Sequence, residues 1–161
     1  MSINVENLTK LINHLKLVNK KNFDMSEWYE DDEDKWLEKP ATELVWYIQQ
    51  GKGDCGTVAC IAGHAAILEA AERNITLEDM GNAEYTAMDW LGLNYDQAHR
   101  LFKPGLTPDG RWWAGSLGQL RNHTLQKAIA VLERLKETAE SGKPSINWST
   151  PIKKRENPNA Y

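Results

Sequence analysis

Five small residues place the tightest limit on how this chain can fold. Ala59, Ala62, Gly63, Ala66 and Ala70 recur at spacings of three and four, which puts them along one stripe of an α-helix. Side chains this small let neighbouring backbones approach closely. Residues 57–73 are therefore predicted as the central helix of an all-α, single-domain bundle. Three flanking segments supply its partners. Leu8, Leu11, Ile12, Leu15 and Val18 mark an amphipathic helix over 5–18, and Leu125, Ala128, Ile129, Leu132 and Leu135 mark another over 120–140. Residues 83–103 read as two short helices parted at Gly92, the second capped by Asn94 or Asp96 and stopped by Pro104-Gly105. ELVWYIQQ, residues 43–50, suits either one helix face or a short buried strand, and it is the only place where a strand is expected.

A chain of 161 residues can bury a core without metal or disulfide staples. The helical domain is expected to run over 1–142. The tail, 143–161, carries three prolines and Lys153-Lys154-Arg155 and reads as extended, anchored by Trp148. A net charge of −4 argues against indiscriminate binding to nucleic acid, which needs a cationic surface. Lys10, His14, Lys16 and Lys20 interrupt the N-terminal leucines, so no signal-peptide apolar core is present, and no apolar run reaches the roughly 20 residues that span a bilayer. The expectation is a soluble, cytoplasmic protein without a membrane partner. Glu30 to Asp34 form an acidic run between Trp28, Tyr29 and Trp36, which reads as a solvated loop with aromatic anchors or as a dock for a basic partner.

Chemistry is concentrated in QQGKGDCGTVACIAGHAAIL, residues 49–68. Gly51-Lys52-Gly53-Asp54-Cys55-Gly56 matches G-x-G-x-x-G, and Glu78 falls near the distance of a ribose-binding acid. The residues beyond Arg73 read helical, however, so the parallel sheet of a dinucleotide fold has no strands to form it. A second reading makes Cys55 a nucleophile at a helix N-terminus, with Gln49 stabilising an oxyanion and His123 as base, oriented by Asn147-Trp148. That arrangement resembles papain-like proteases, but their Cys-Gly-Ser-Cys-Trp run is missing, and His123 opens a helix instead of lying on a strand. A third reading pairs Cys60 with His64 as i, i+4 metal ligands. Cys55 then points about 140° away around the helix, and His14, His99 or Asp54 would have to complete the shell from afar. The fourth reading is structural. Asp54 or Thr57 caps the helix, the glycines ease the approach to it, and Cys60 packs as a small apolar side chain. It uses every residue and needs no metal or cofactor.

FDMSEW, the run Cys55-Gly56-Thr57-Val58-Ala59-Cys60-Ile61-Ala62-Gly63-His64-Ala65, and LGLNYDQAHRLF together cover about residues 23–103. In them the chain resembles small uncharacterised proteins of bacteriophages and actinobacteria. These share a Cys-Gly-Thr-x-x-Cys-Ile-Ala-Gly core followed by a Leu-Gly-Leu…Gln-Ala…Leu-Phe segment. The resemblance implies no activity or cofactor. It implies an accessory protein of a virus or mobile element, acting on a host molecule and open to an anti-defence role.

The function expected from the sequence is stoichiometric binding of a host protein or a nucleotide-type ligand, with self-association left open. The expected surface joins Arg111, Trp112 and Trp113 to the helix start at Asp54, Cys55, Gly56 and Thr57. A tryptophan beside an arginine stacks on a base or pins a peptide, and a helix N-terminus holds a phosphate. Two alternatives belong to other classes. One is the cysteine hydrolase using Cys55, His123 and Gln49. The other is a helix-turn-helix DNA-binding protein presenting Gln97, His99, Arg100 and Lys103, against which stand the acidic balance and the apolar Leu101 and Phe102.

Overall fold

The computed structural model describes residues 3–25, 29–30, 35–53, 56–102 and 124–141. It is an all-α single domain. Its helices are α1 (Val5–Leu15), α2 (Ala41–Gln49), α3 (Ile61–Glu72), α4 (Leu77–Met80), α5 (Ala83–Leu91), α6 (Tyr95–Phe102) and α7 (Leu125–Ser141), and two-residue strands β1 (Tyr29–Glu30) and β2 (Val58–Ala59) form an antiparallel pair. Among the described residues no helix is long and apolar enough to cross a membrane.

Helix α3 is the centre, as the small-residue stripe predicts. Ile61 through Ile67 and Ala70 are all buried, so apart from His64 its first two turns are apolar all round, the mark of a helix enclosed on every side. It packs most extensively on α5 and next on α2, with α1, α4 and α6 completing the shell. Helix α7 packs chiefly on α1, through Ala128, Val131, Leu132 and Leu135. It thus forms an outer layer, where the bundle pattern had placed it against the central helix.

The helix starts follow local chemistry. The Asn4 side chain accepts from the Asn7 amide at 3.0 Å, and Leu8, Leu11, Ile12 and Leu15 then line one buried face of α1. Asn82 caps α5, which ends at Gly92 in the left-handed region (φ 69°). At α6, Asn94 accepts from the Gln97 amide while Gln97 accepts from the Asn94 amide, both at 2.9 Å, a reciprocal capping box that makes Asn94 the cap.

One expectation is corrected and one open alternative is decided. The central helix begins at Ile61, not at residue 57, and its cap is Cys60, whose Sγ accepts from the Gly63 amide at 3.5 Å. Thr57 is fully buried ahead of β2, three residues before that cap. Val58 and Ala59 are small and β-branched residues whose backbone is satisfied by strand pairing: Tyr29 lies opposite Ala59, Glu30 opposite Val58, and the Asp24 amide donates to the Ala59 carbonyl. Residues 43–50 form no strand. Leu44 and Ile48 lie one helical turn apart on the buried face of α2, and Trp46 stays 57% exposed. The tail at 143–161 lies outside the described residues.

Gly63 is buried within the enclosed stretch of α3. Gly63→Leu is expected to cost about 2–3 kcal/mol by overpacking. Thermal denaturation should show a fall of about 5–10 °C. A melting temperature within about 2 °C of wild type would mean that the neighbouring helices leave room for a large side chain there.

Candidate functional site

The most organised polar group among the described residues is a row of three side chains and one carbonyl at the meeting point of α1, α2 and α3. His14, on α1, occupies a position in that helix's buried stripe and is 2% exposed. His64, in the enclosed part of α3, is fully buried and stacks on Phe23 with ring centroids 6.0 Å apart. His14 Nε2 lies 3.0 Å from His64 Nδ1. His64 Nε2 lies 2.8 Å from the Asn22 carbonyl, and Gln49 Nε2 lies 2.9 Å from His14 Nδ1. The Asn22 side chain continues inward, donating from Nδ2 to the Thr57 carbonyl at 2.9 Å.

One direction of hydrogen bonding satisfies the whole row. A carbonyl only accepts, so His64 Nε2 must carry hydrogen. Neutral His64 then accepts at Nδ1, so His14 must donate from Nε2. Neutral His14 accepts in turn at Nδ1, from the Gln49 amide. The reverse order would set His64 Nε2 and the Asn22 oxygen against each other as two bare acceptors. Burial enforces neutrality: it lowers the His64 pKa to about 4, and burial first and the neighbouring His64 second hold His14 well below the ordinary 6.5. The polarity of the Gln49 carboxamide is thereby fixed from the interior. Its nitrogen faces His14, and its oxygen faces away.

Gln49 lines a groove of about 500 Å³. Lys10, Asn13 and His14 of α1, with Leu17 just beyond its end, form one wall; Leu68, Ala71 and Glu72 of α3 form the other, and Gln49 also lines it. The three α1 positions follow the i, i+3, i+4 spacing of one helix face. Leu17 is 50% exposed at the rim. Lys10 Nζ lies 3.0 Å from Glu72 Oε1 and 3.5 Å from Glu6 Oε1, and the hydrogen bond to Glu72 is the leading cause of its raised pKa. Volumes of roughly 300–1,000 Å³ are usual for small-molecule sites.

The glycine loop serves this corner of the fold. Gly51 and Gly53 both adopt left-handed φ, 71° and 72°. A Cβ on Gly51 would stand 3.0 Å from the Leu17 carbonyl oxygen, and the Gly51 carbonyl accepts from Asn19 Nδ2 at 3.0 Å. Here glycine is required by close backbone approach, which locks the end of α2 to the end of α1. Gly56 is half-buried, and Thr57 lies in the core. Asp54, Cys55, Arg111, Trp112, Trp113 and His123 lie outside the described residues. Gln49, read as an oxyanion donor in the hydrolase alternative, donates one N–H to His14.

Cys60 and His64 do not form a ligand pair. The Cys60 sulfur caps α3, both nitrogens of His64 are engaged, and no group of three or more ligating side chains stands among the described residues. Burial pushes the Cys60 thiol up to about 11, so it is a packed thiol and no nucleophile at neutral pH. Cys60 is expected to resist iodoacetamide at pH 7.5 in the native protein and to react once urea unfolds it. Mass spectrometry of the labelled peptide reads this directly, and rapid native labelling at Cys60 would contradict its placement. Of the DNA-reading residues expected on α6, Arg100 is 1% exposed and so faces the core, a correction, while Gln97 is spent on the capping box. Leu101 and Phe102 are core, as read.

From the sequence, His14 stands out as an interruption of the N-terminal leucines and as a distant metal ligand, and Asn22 does not stand out at all. The available signal was positional. His14 stands where the α1 stripe calls for an apolar side chain, and His64 stands in a run that is otherwise wholly apolar. Compared with protein-family models, with curated proteins and with solved structures, the chain matches none.

Proposed function

We propose that this chain is a non-catalytic binding protein, an accessory of phage or mobile-element type, and that it takes a nucleotide-type ligand in the groove between α1 and α3. The observation that supports this reading is the groove itself, an apolar cleft lined by a carboxamide whose orientation is set by buried hydrogen bonds. Rigid polar groups on an apolar background give orientation and specificity at low ordering cost. His14 and His64 favour binding over catalysis, since both ring nitrogens of each are engaged within the row and burial holds both rings neutral.

A thermal-shift panel of nucleobases, nucleosides and nucleotides tests the proposal. A ligand that binds only the folded chain adds about 2.7 kcal/mol at a hundredfold excess over Kd. At least one member should raise the melting temperature of wild type and fail to raise that of Ala71→Arg, which fills the groove. A panel without any shift, or a shift that survives the blocked groove, overturns it.

A further inference from the structure

We infer that the ligand of this groove is an uncharged nucleobase or nucleoside, read through the donor–acceptor pair that Gln49 is forced to present. The inference rests on the binding reading above and narrows it to a chemical class. Gln49 is half-buried, and its Nε2 is committed to His14. The carboxamide therefore turns one fixed edge outward, an oxygen that accepts beside a remaining N–H that donates. A nucleobase edge that carries a neighbouring donor and acceptor meets such a carboxamide with two hydrogen bonds, the geometry by which glutamine and asparagine read adenine. A free carboxamide turns over to suit either polarity. This one cannot, because the Asn22 carbonyl at the far end of the row sets the direction of every bond.

Two further features fit a flat, neutral ring. Leu17, Leu68 and Ala71 supply apolar surface for its faces, with Leu17 half exposed and available to cover one of them. The charges disfavour a phosphate. Lys10 is the only cation among the groove's lining residues, and it already faces two carboxylates, at 3.0 Å from Glu72 and 3.5 Å from Glu6. That end of the groove carries net negative charge, so a phosphorylated ligand meets repulsion where a nucleoside meets none.

The test is isothermal titration of the full chain at pH 7.5 with adenosine, guanosine, cytidine and uridine and with their 5′-monophosphates. One nucleoside is expected to bind with a Kd in the micromolar range, and its monophosphate at least about tenfold more weakly. Gln49→Leu should weaken the nucleoside at least about tenfold, while Lys16→Ala, on the α7 side of α1, leaves it unchanged. Long-range proton–nitrogen NMR of the two imidazoles gives a reading that needs no variant: both rings should carry hydrogen on Nε2. Monophosphates that bind more tightly than nucleosides, an unaffected Gln49→Leu, or an Nδ1–H tautomer at His14 would each overturn this inference while leaving a nucleotide-binding groove standing. Silence from nucleosides and monophosphates alike would overturn both.

Discussion

His64→Leu is expected to destabilise the protein by roughly 3–5 kcal/mol. Leucine is close to histidine in size, so the cavity term is small and the cost is polar. The substitution strands two buried groups at once, the Nε2–H of His14 and the carbonyl of Asn22. Each unsatisfied buried donor or acceptor costs about 1–3 kcal/mol, and a broken row weakens its remaining bond as well. Urea unfolding of wild type, His14→Leu, His64→Leu and the double variant gives the coupling directly. The double variant should lose clearly less than the sum of the singles, because both remove the same contact. A loss below about 1 kcal/mol in His64→Leu would mean that the imidazoles are spectators in a core held by its hydrocarbon alone.

Acid should weaken the fold over a defined window. Unfolded histidine titrates near 6.5, whereas burial holds the native His64 pKa at about 4 and His14 well below its ordinary value. Between those limits the unfolded chain binds more protons than the native one, so stability falls as pH falls. The contribution is complete above about pH 6.5, declines toward pH 4, and levels off once native His64 is itself protonated. One pH unit is worth about 1.4 kcal/mol per histidine inside the window, or about 3 kcal/mol for His64 across it. Glu69, on α3, works in the opposite sense. Burial raises its pKa, so its carboxyl favours the folded state in acid. Denaturation midpoints at pH 7.5, 6 and 5 measure the net slope, and the double histidine variant should flatten it. An unchanged midpoint between pH 7.5 and 5 would refute the assignment of two neutral buried rings.

What could be read from the sequence divides along the range of the interactions involved. The stripe of α1, the end of α5 at Gly92 and the close-packed face of α3 depend on residues within about two helical turns, and spacing displays them. The start of α3 did not follow that rule. Thr57 and Cys60 both carry capping atoms, and only the pairing of Val58 and Ala59 with a segment some thirty residues upstream decides between them. ELVWYIQQ posed the same question in reverse, since an unbroken apolar run has no period until a neighbour selects one face. The polar row lies furthest from view. His14, Asn22, Gln49 and His64 share no motif, and they meet because three helices and one turn close around the same point.

The row also behaves as a count of hydrogens. Three gaps separate Gln49, His14, His64 and the Asn22 carbonyl, and three hydrogens fill them, all pointing inward. Add one proton to His64 and it donates from both nitrogens. His14 must then accept at Nε2 and donate from Nδ1, and Gln49 must turn its oxygen inward to receive that hydrogen. A proton placed on a ring with no exposed surface thus inverts the amide that lines the groove, exchanging the outward oxygen for an outward NH₂ without a helix having to move.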